Sequence, residues 1–274
     1  MGKAWSTCIV IVLPISQKGF AYLNMRFYSL LTLVFATIVS AAPVTTTTNS
    51  LVDTYTHCNR PGVFALTFDD GPFQYSWDLA KYLHSVGVKA TFFINGDNWV
   101  KDFRTATTNT SDGTRSYMDV IKYYHELGHE IASHTYGHVP LRGLTAAQVE
   151  YQMNQLSDLV YEAIALRPSF MRPPEGVLDE AASQVVKRLG YSSIMWDVDT
   201  KDYELKGMTS EQELVRSVVE ADIAVQTNGH ISLQHDVHEH SAKVLTPWMI
   251  EYVHSKNYTF VTVSECLGIS AYHS

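Results

Sequence analysis

The chain has 274 residues, of which 46% are hydrophobic and 18% charged, the balance of an ordinary globular protein. Fifteen Gly and nine Pro exclude a collagen-like or low-complexity chain, and sixteen Tyr argue against disorder. A formal charge of −8 argues against nucleic-acid binding, which needs clustered Lys and Arg, and three Cys without CxxC pairs exclude a disulfide scaffold or structural zinc site.

Residues 25–42 read MRFYSLLTLVFATIVSAA, with a basic start at Arg26, an apolar stretch Leu30–Val39 and a small-residue exit. This is the layout of a secretory signal peptide cleaved after Ala41, too short to span a bilayer comfortably; a signal anchor is the alternative. Residues 1–24 carry a second apolar run ended by Pro14. They are an extended leader, or they precede a true start at Met25. Removing 1–41 takes away Lys3, Lys18 and Arg26 and no acid, leaving 17 basic against 28 acidic residues, a net charge of −11. It also removes Cys8, so that Cys58 and Cys266 read as one disulfide in an oxidising compartment, or as two unrelated buried thiols. Asn109-Thr110-Ser111 and Asn257-Tyr258-Thr259 are glycosylation acceptors in a eukaryotic secretory route.

Residues 42–53, Thr-rich, read as a linker to one domain at 54–274. Strands are predicted at Val63–Phe68, Ala90–Asn95, His129–Ser133, Ser169–Arg172, Tyr191–Asp197, His230–His235 and Tyr258–Val263. Helices are predicted at Gln74–Val86, Arg115–Leu127, Thr145–Ala165, Asp179–Leu189, Ser210–Val225 and Ser241–Ser255, with the polar stretch Asp97–Thr114 as an insertion loop. Seven strands alternating with helices imply an α/β fold with a parallel sheet, more economically a barrel than an open sheet.

The chemistry gathers at predicted strand ends. Asp69 and Asp70 are adjacent carboxylates before Gly71-Pro72, a costly pair unless a cation or a reaction needs them; a helix-capping turn is the plainer reading. His134 and His138 are four apart and converge if the segment turns helically, which with Asp70 gives a His₂Asp set with open positions, the pattern of a catalytic metal. Arg172 precedes a rigid Pro173-Pro174, Asp197 ends the fifth strand with Asp199 and Asp202 just beyond it, and His235 tips the sixth. In α/β folds such strand ends share one crevice.

TFDDGP, HTYGH, RPPEG, DTKDY and LQH, in that order, resemble the five motifs of the polysaccharide deacetylases with a NodB homology domain, and most of all those of secreted fungal chitin deacetylases. The resemblance covers Thr54 to Leu267 and implies a single distorted (β/α)7 barrel. It implies Asp70, His134 and His138 as ligands of one divalent metal, Zn²⁺ or Co²⁺ among others, and Asp69 as the general base. Arg172 would orient Asp69, His235 would be the general acid, and Asp202 would raise the pKa of His235. Leu233 and Trp196 would line the acetyl pocket, and the Glu175 backbone N–H would face the oxyanion. Glu175 stands where the family often has Tyr, and its carboxylate is expected to repel anionic substrates or to alter sugar stacking. Tyr203 stands where Trp often follows Asp202, and keeps an aromatic wall. The implied activity is metal-dependent removal of N-acetyl groups from chitin or chitooligosaccharides by a secreted, extracellular or cell-wall enzyme. No nucleic acid, membrane span of the processed chain or protein partner is implied. An O-acetyl esterase of acetylated xylan and a silent carbohydrate-binding protein are the competing readings.

Overall fold

The computed structural model describes residues 50–223 and 229–274. The leader expected at 1–24, the signal peptide at 25–41 and most of the linker at 42–53 lie outside the described residues. Among the described residues packing begins at Val52, two residues ahead of the expected domain start. Its N–H donates to Ser183 Oγ at 3.0 Å, its side chain joins a cluster with Ala182, Val185 and Val186, and Asp53 pairs with Lys187.

In chain order the strands are β1 Thr54–Tyr55, β2 Val63–Ala65, β3 Thr67–Asp69, β4 Thr91–Ile94, β5 Thr107–Thr110, β6 Gly113–Ser116, β7 Glu130–Ser133, β8 Phe170–Met171, β9 Ser192–Ile194, β10 Val198–Asp199, β11 His230–Leu233 and β12 Thr259–Val261. The helices are α1 Ser76–Ser85, α2 Tyr117–Glu126, α3 Ala146–Ile164, α4 Glu180–Arg188, α5 Met208–Ile223, α6 Thr246–Ser255 and α7 Val263–Leu267. One sheet runs β1-β9-β8-β7-β4-β3 and another β10-β11-β2-β12, with every pairing in both parallel.

The sheets join because two predicted strands each change partners partway along. Val63–Phe68 breaks at Leu66: β2 lies between β11 and β12, and β3 then pairs with β4. Tyr191–Asp197 breaks after Ile194: β9 pairs with β8, and β10, beginning one residue beyond the predicted end, pairs with β11. A parallel bridge from Asp69 to His235 closes the ring. The result is a curled parallel barrel whose seventh strand, β12, reaches only β2. That is the distortion.

Alternation along the strands sorts the core into two layers. Ala65, Phe93, Ala132, Phe170, Ile194, Ile231 and Val261 form one cluster. Their neighbours Phe64, Phe92 and Ile131 pack instead with helix residues such as Leu83, Ile121, Tyr124 and Leu156, and Phe92 stacks on Tyr124 of α2 at 4.0 Å.

Three local readings are corrected. The stretch Asp97–Thr114 is not all loop, since it supplies the antiparallel hairpin β5–β6; the signal was Asp112-Gly113, with Gly113 at φ +93°. The second helix starts at Tyr117 rather than Arg115, because Ser116 and Asp119 form a capping box. Ser241–Ser255 opens with a π turn, Ser241–Leu245, before α6 takes up Pro247 in its first turn. Asn109 and Asn257 are both exposed.

Cys58 and Cys266 are bonded across a sequence separation of 208, tying the entry of the domain to α7. In the chain-entropy account a loop of this length contributes up to about 5 kcal/mol. The double variant Cys58→Ser/Cys266→Ser is therefore expected to lower Tm by roughly 10–20 °C in thermal unfolding. An unchanged Tm would rule that contribution out.

Candidate active site

The C-terminal ends of the parallel strands open into a cleft of ≈ 530 Å³. Asp69, Asp70, His134, His138, Glu175, Trp196, Tyr203, Leu233 and His235, all singled out in the sequence, line it. Arg172 and Asp202 lie beneath them, with 0% and 1% exposure.

Asp70, His134 and His138 each offer one ligand atom, and these atoms lie within 4.8 Å of one another. Asp70 Oδ1 is 3.2 Å from His138 Nε2 and 3.6 Å from His134 Nε2. This oxygen is buried and accepts no hydrogen bond. A bare carboxylate oxygen between two imidazole nitrogens fits a divalent cation, and a His₂Asp set leaves positions open for substrate. His134 suits ligation for two further reasons. Its Nδ1 lies 2.8 Å from the Arg172 carbonyl, which as acceptor leaves Nε2 unprotonated, and burial lowers its pKa to about 3, the neutral form a metal needs.

The two histidines do not converge by a helical turn, as the spacing had suggested. No helix forms there; Thr135 at φ +68° and His138 at φ +52° bend the chain back instead, a strained backbone of the kind found at functional sites. Asn95 holds the bend by donating from Nδ2 to the carbonyls of His134 and Thr135, at 2.6 and 2.8 Å. Behind Asp70, Gly71 packs against the Asp236 carboxylate, which leaves no room for a Cβ. That requirement explains the glycine of the first motif.

Asp69 is 2% exposed, and its Oδ1 accepts from Arg172 Nη1 at 2.7 Å. Burial raises its pKa above the ordinary carboxylate value, while the Arg172 charge and hydrogen bond pull it back. Arg172 is held from every side. It donates to Thr67 Oγ1 at 2.8 Å and to the carbonyls of Ile194 and Met195 at 2.9 and 3.1 Å, and its guanidinium lies over Phe93 and Trp196.

The second pair is His235 and Asp202. His235 Nδ1 lies 2.8 Å from Asp202 Oδ1, its backbone N–H donates to Oδ2 at 2.8 Å, and Ser241 Oγ donates to the same oxygen. Burial works against the imidazolium, but the Asp202 hydrogen bond and charge, with Asp69 and Asp70, raise the pKa to about 9. The Tyr203 and His235 rings stand nearly perpendicular, with centroids 5.5 Å apart.

The polysaccharide deacetylase family model matches residues 56–194. A chitin deacetylase of Pestalotiopsis sp is 37% identical over 78% of this chain and 66% of its own length. One of Colletotrichum lindemuthianum is 37% identical over 77% of this chain and 82% of its own. The chain belongs to the polysaccharide deacetylase family. The solved structure of the Colletotrichum lindemuthianum chitin deacetylase superposes with a TM-score of 0.72 at 34% identity, covering 82% of this chain and 96% of that one. A family 4 carbohydrate esterase of Streptomyces lividans, at 22% identity and TM-score 0.60, shares the fold. The fold is the (β/α)7 barrel of this family. Coverage of relatives varies: the chain spans 53% of an Arthroderma benhamiae chitin deacetylase.

Two cleft residues of this deacetylase-family chain escaped the sequence reading. Trp99 is 51% exposed and comes from the expected insertion loop; His238, one turn after His235, faces it with ring centroids 6.3 Å apart. A tryptophan in so polar a loop was the available signal.

Proposed function

We propose that the protein is a metal-dependent polysaccharide N-deacetylase that hydrolyses N-acetyl groups of chitin or chitooligosaccharides, releasing acetate and leaving free amines. The observation that carries this reading is the meeting of three units in one cleft: a carboxylate pinned by Arg172, the His₂Asp triad, and a histidine held cationic by Asp202. The chitin deacetylase relatives point to the polymer. The segment 25–41 would direct secretion as a signal peptide, and Asn109 and Asn257 would accept glycans.

Amide hydrolysis demands all three. The acetyl amide is a poor electrophile with a poor leaving group. Zinc or cobalt held by Asp70, His134 and His138 would polarise the acetyl carbonyl and acidify water. Asp69, oriented through Arg172, takes the proton as water attacks the carbonyl carbon. The Glu175 backbone N–H serves as an oxyanion donor, a contribution of about 3–4 kcal/mol when well placed. His235 then passes its proton to the amide nitrogen as the C–N bond breaks, so the product leaves as an amine rather than as an anion. Leu233 and Trp196 receive the acetyl methyl, and Tyr203 supplies an aromatic wall.

Chelation should abolish acetate release from N-acetylglucosamine oligomers, and added zinc should restore it. His138→Ala should lower bound zinc measured by atomic emission. Release that continues unchanged in the metal-free protein would exclude the metal-dependent route.

A further inference from the structure

The acidic groups around the cleft each have a partner, with one exception. Asp69 is paired with Arg172 at 2.7 Å and Asp202 with His235 at 2.8 Å, while Asp70 faces two ligating histidines. Asp199 accepts from the Lys201 backbone N–H at 2.9 Å and from the Tyr203 hydroxyl. Glu175 is exposed on the cleft and has no hydrogen-bond or ion-pair partner among the described residues, and no Lys or Arg lines the cleft.

The backbone that carries this side chain is held in place at a cost. Glu175 sits at φ +58°, ψ 10°, a left-handed conformation in which a side chain is disfavoured and glycine would be at ease. Pro173 and Pro174 lock the chain before it. After it, Gly176 is left-handed too, and a Cβ there would come within 3.0 Å of the Trp196 ring and 3.1 Å of Met195. The loop thus presents one uncompensated negative charge from a rigid turn at the rim of the acetyl-binding site.

We propose that Glu175 is a specificity determinant that favours an acetylated sugar whose neighbour in the chain already carries a protonated free amine; this rests on the deacetylase reading above. A fully acetylated chain offers this carboxylate only neutral amides, whereas a chain already attacked offers an ammonium. The enzyme's own product is then a better substrate than the starting polymer, and deacetylation clusters along a chain. The charge-free alternative, a rim that merely stacks sugars, predicts no dependence on ionic strength.

The test compares kcat/KM for the fully acetylated N-acetylglucosamine tetramer with that for tetramers carrying one free amine, with that amine protonated and placed on either side of an acetylated unit. Wild-type protein should prefer at least one amine-bearing isomer by about two- to fivefold, the strength of an exposed ion pair. That ratio should fall to about one in Glu175→Gln, and in wild-type protein at 0.5 M salt, where the pair is screened. A ratio of one in wild-type protein, or a preference untouched by both salt and Glu175→Gln, would overturn the inference and leave the deacetylase reading standing. No acetate from any tetramer would overturn both.

Discussion

Asp69→Asn is expected to lower kcat for acetate release by about 10²–10⁴, the usual loss when a general base is removed. The substitution keeps the shape of the side chain, and its amide oxygen can still accept from Arg172. What disappears is the negative charge and with it the capacity to take a proton. Because Arg172 is fully buried, Asp69→Asn also leaves a guanidinium without its counter-charge, which in a buried pair costs roughly 3–5 kcal/mol. The kinetic loss must therefore be read beside two controls, the bound-metal content and Tm of the variant. A folded, metal-loaded variant that retains near-wild-type turnover would remove Asp69 from the chemistry. The acidic side of the wild-type pH profile carries the same information. Only the carboxylate form accepts a proton, so the rate rises as pH climbs through the Asp69 pKa. Burial places that pKa above the ordinary value of 3.8.

The residues of the candidate site could be singled out because most are charged or ligating side chains where an apolar strand ends, and parallel barrels collect such ends. Asp69, His134, Arg172 and His235 stand on four different strands or the turns after them, yet only topology makes them neighbours. What sequence could not supply is how these groups are held. Two of the four acceptors of Arg172 are the carbonyls of Ile194 and Met195, and a backbone acceptor leaves no trace in side-chain identity. The bend that brings His138 to His134 rests on left-handed residues, neither of them glycine, so spacing suggested a helix in its place. Asn95 reads as an ordinary strand end until its two carbonyl partners are seen. The strand breaks at Leu66 and after Ile194 were invisible for a different reason. The apolar pattern runs on across both: Leu66 is fully buried between β2 and β3, and Met195 and Trp196 continue the run past Ile194.

His235→Ala is expected to separate amide from ester chemistry. An amide nitrogen cannot leave unprotonated near neutrality, whereas an acetate ester releases an oxygen that needs far less help. N-acetyl substrates should therefore lose about 10²–10⁴ in kcat, and O-acetyl substrates much less. The pH profile gives the independent check. With its pKa near 9, above the ordinary 6.5, His235 carries its proton at neutrality and loses it as pH rises through that value, so turnover falls on the alkaline side. Asp202→Asn removes the partner that sustains the raised pKa, and the alkaline limb should move down toward the ordinary histidine range. An aromatic or purely structural role for His235 would leave the limb in place in Asp202→Asn. Equal losses on amide and ester in His235→Ala would contradict the acid assignment. A wild-type protein that hydrolyses acetylated xylan but no N-acetylglucosamine oligomer would instead make the same cleft an esterase, in which the raised pKa of His235 serves no leaving group that requires it.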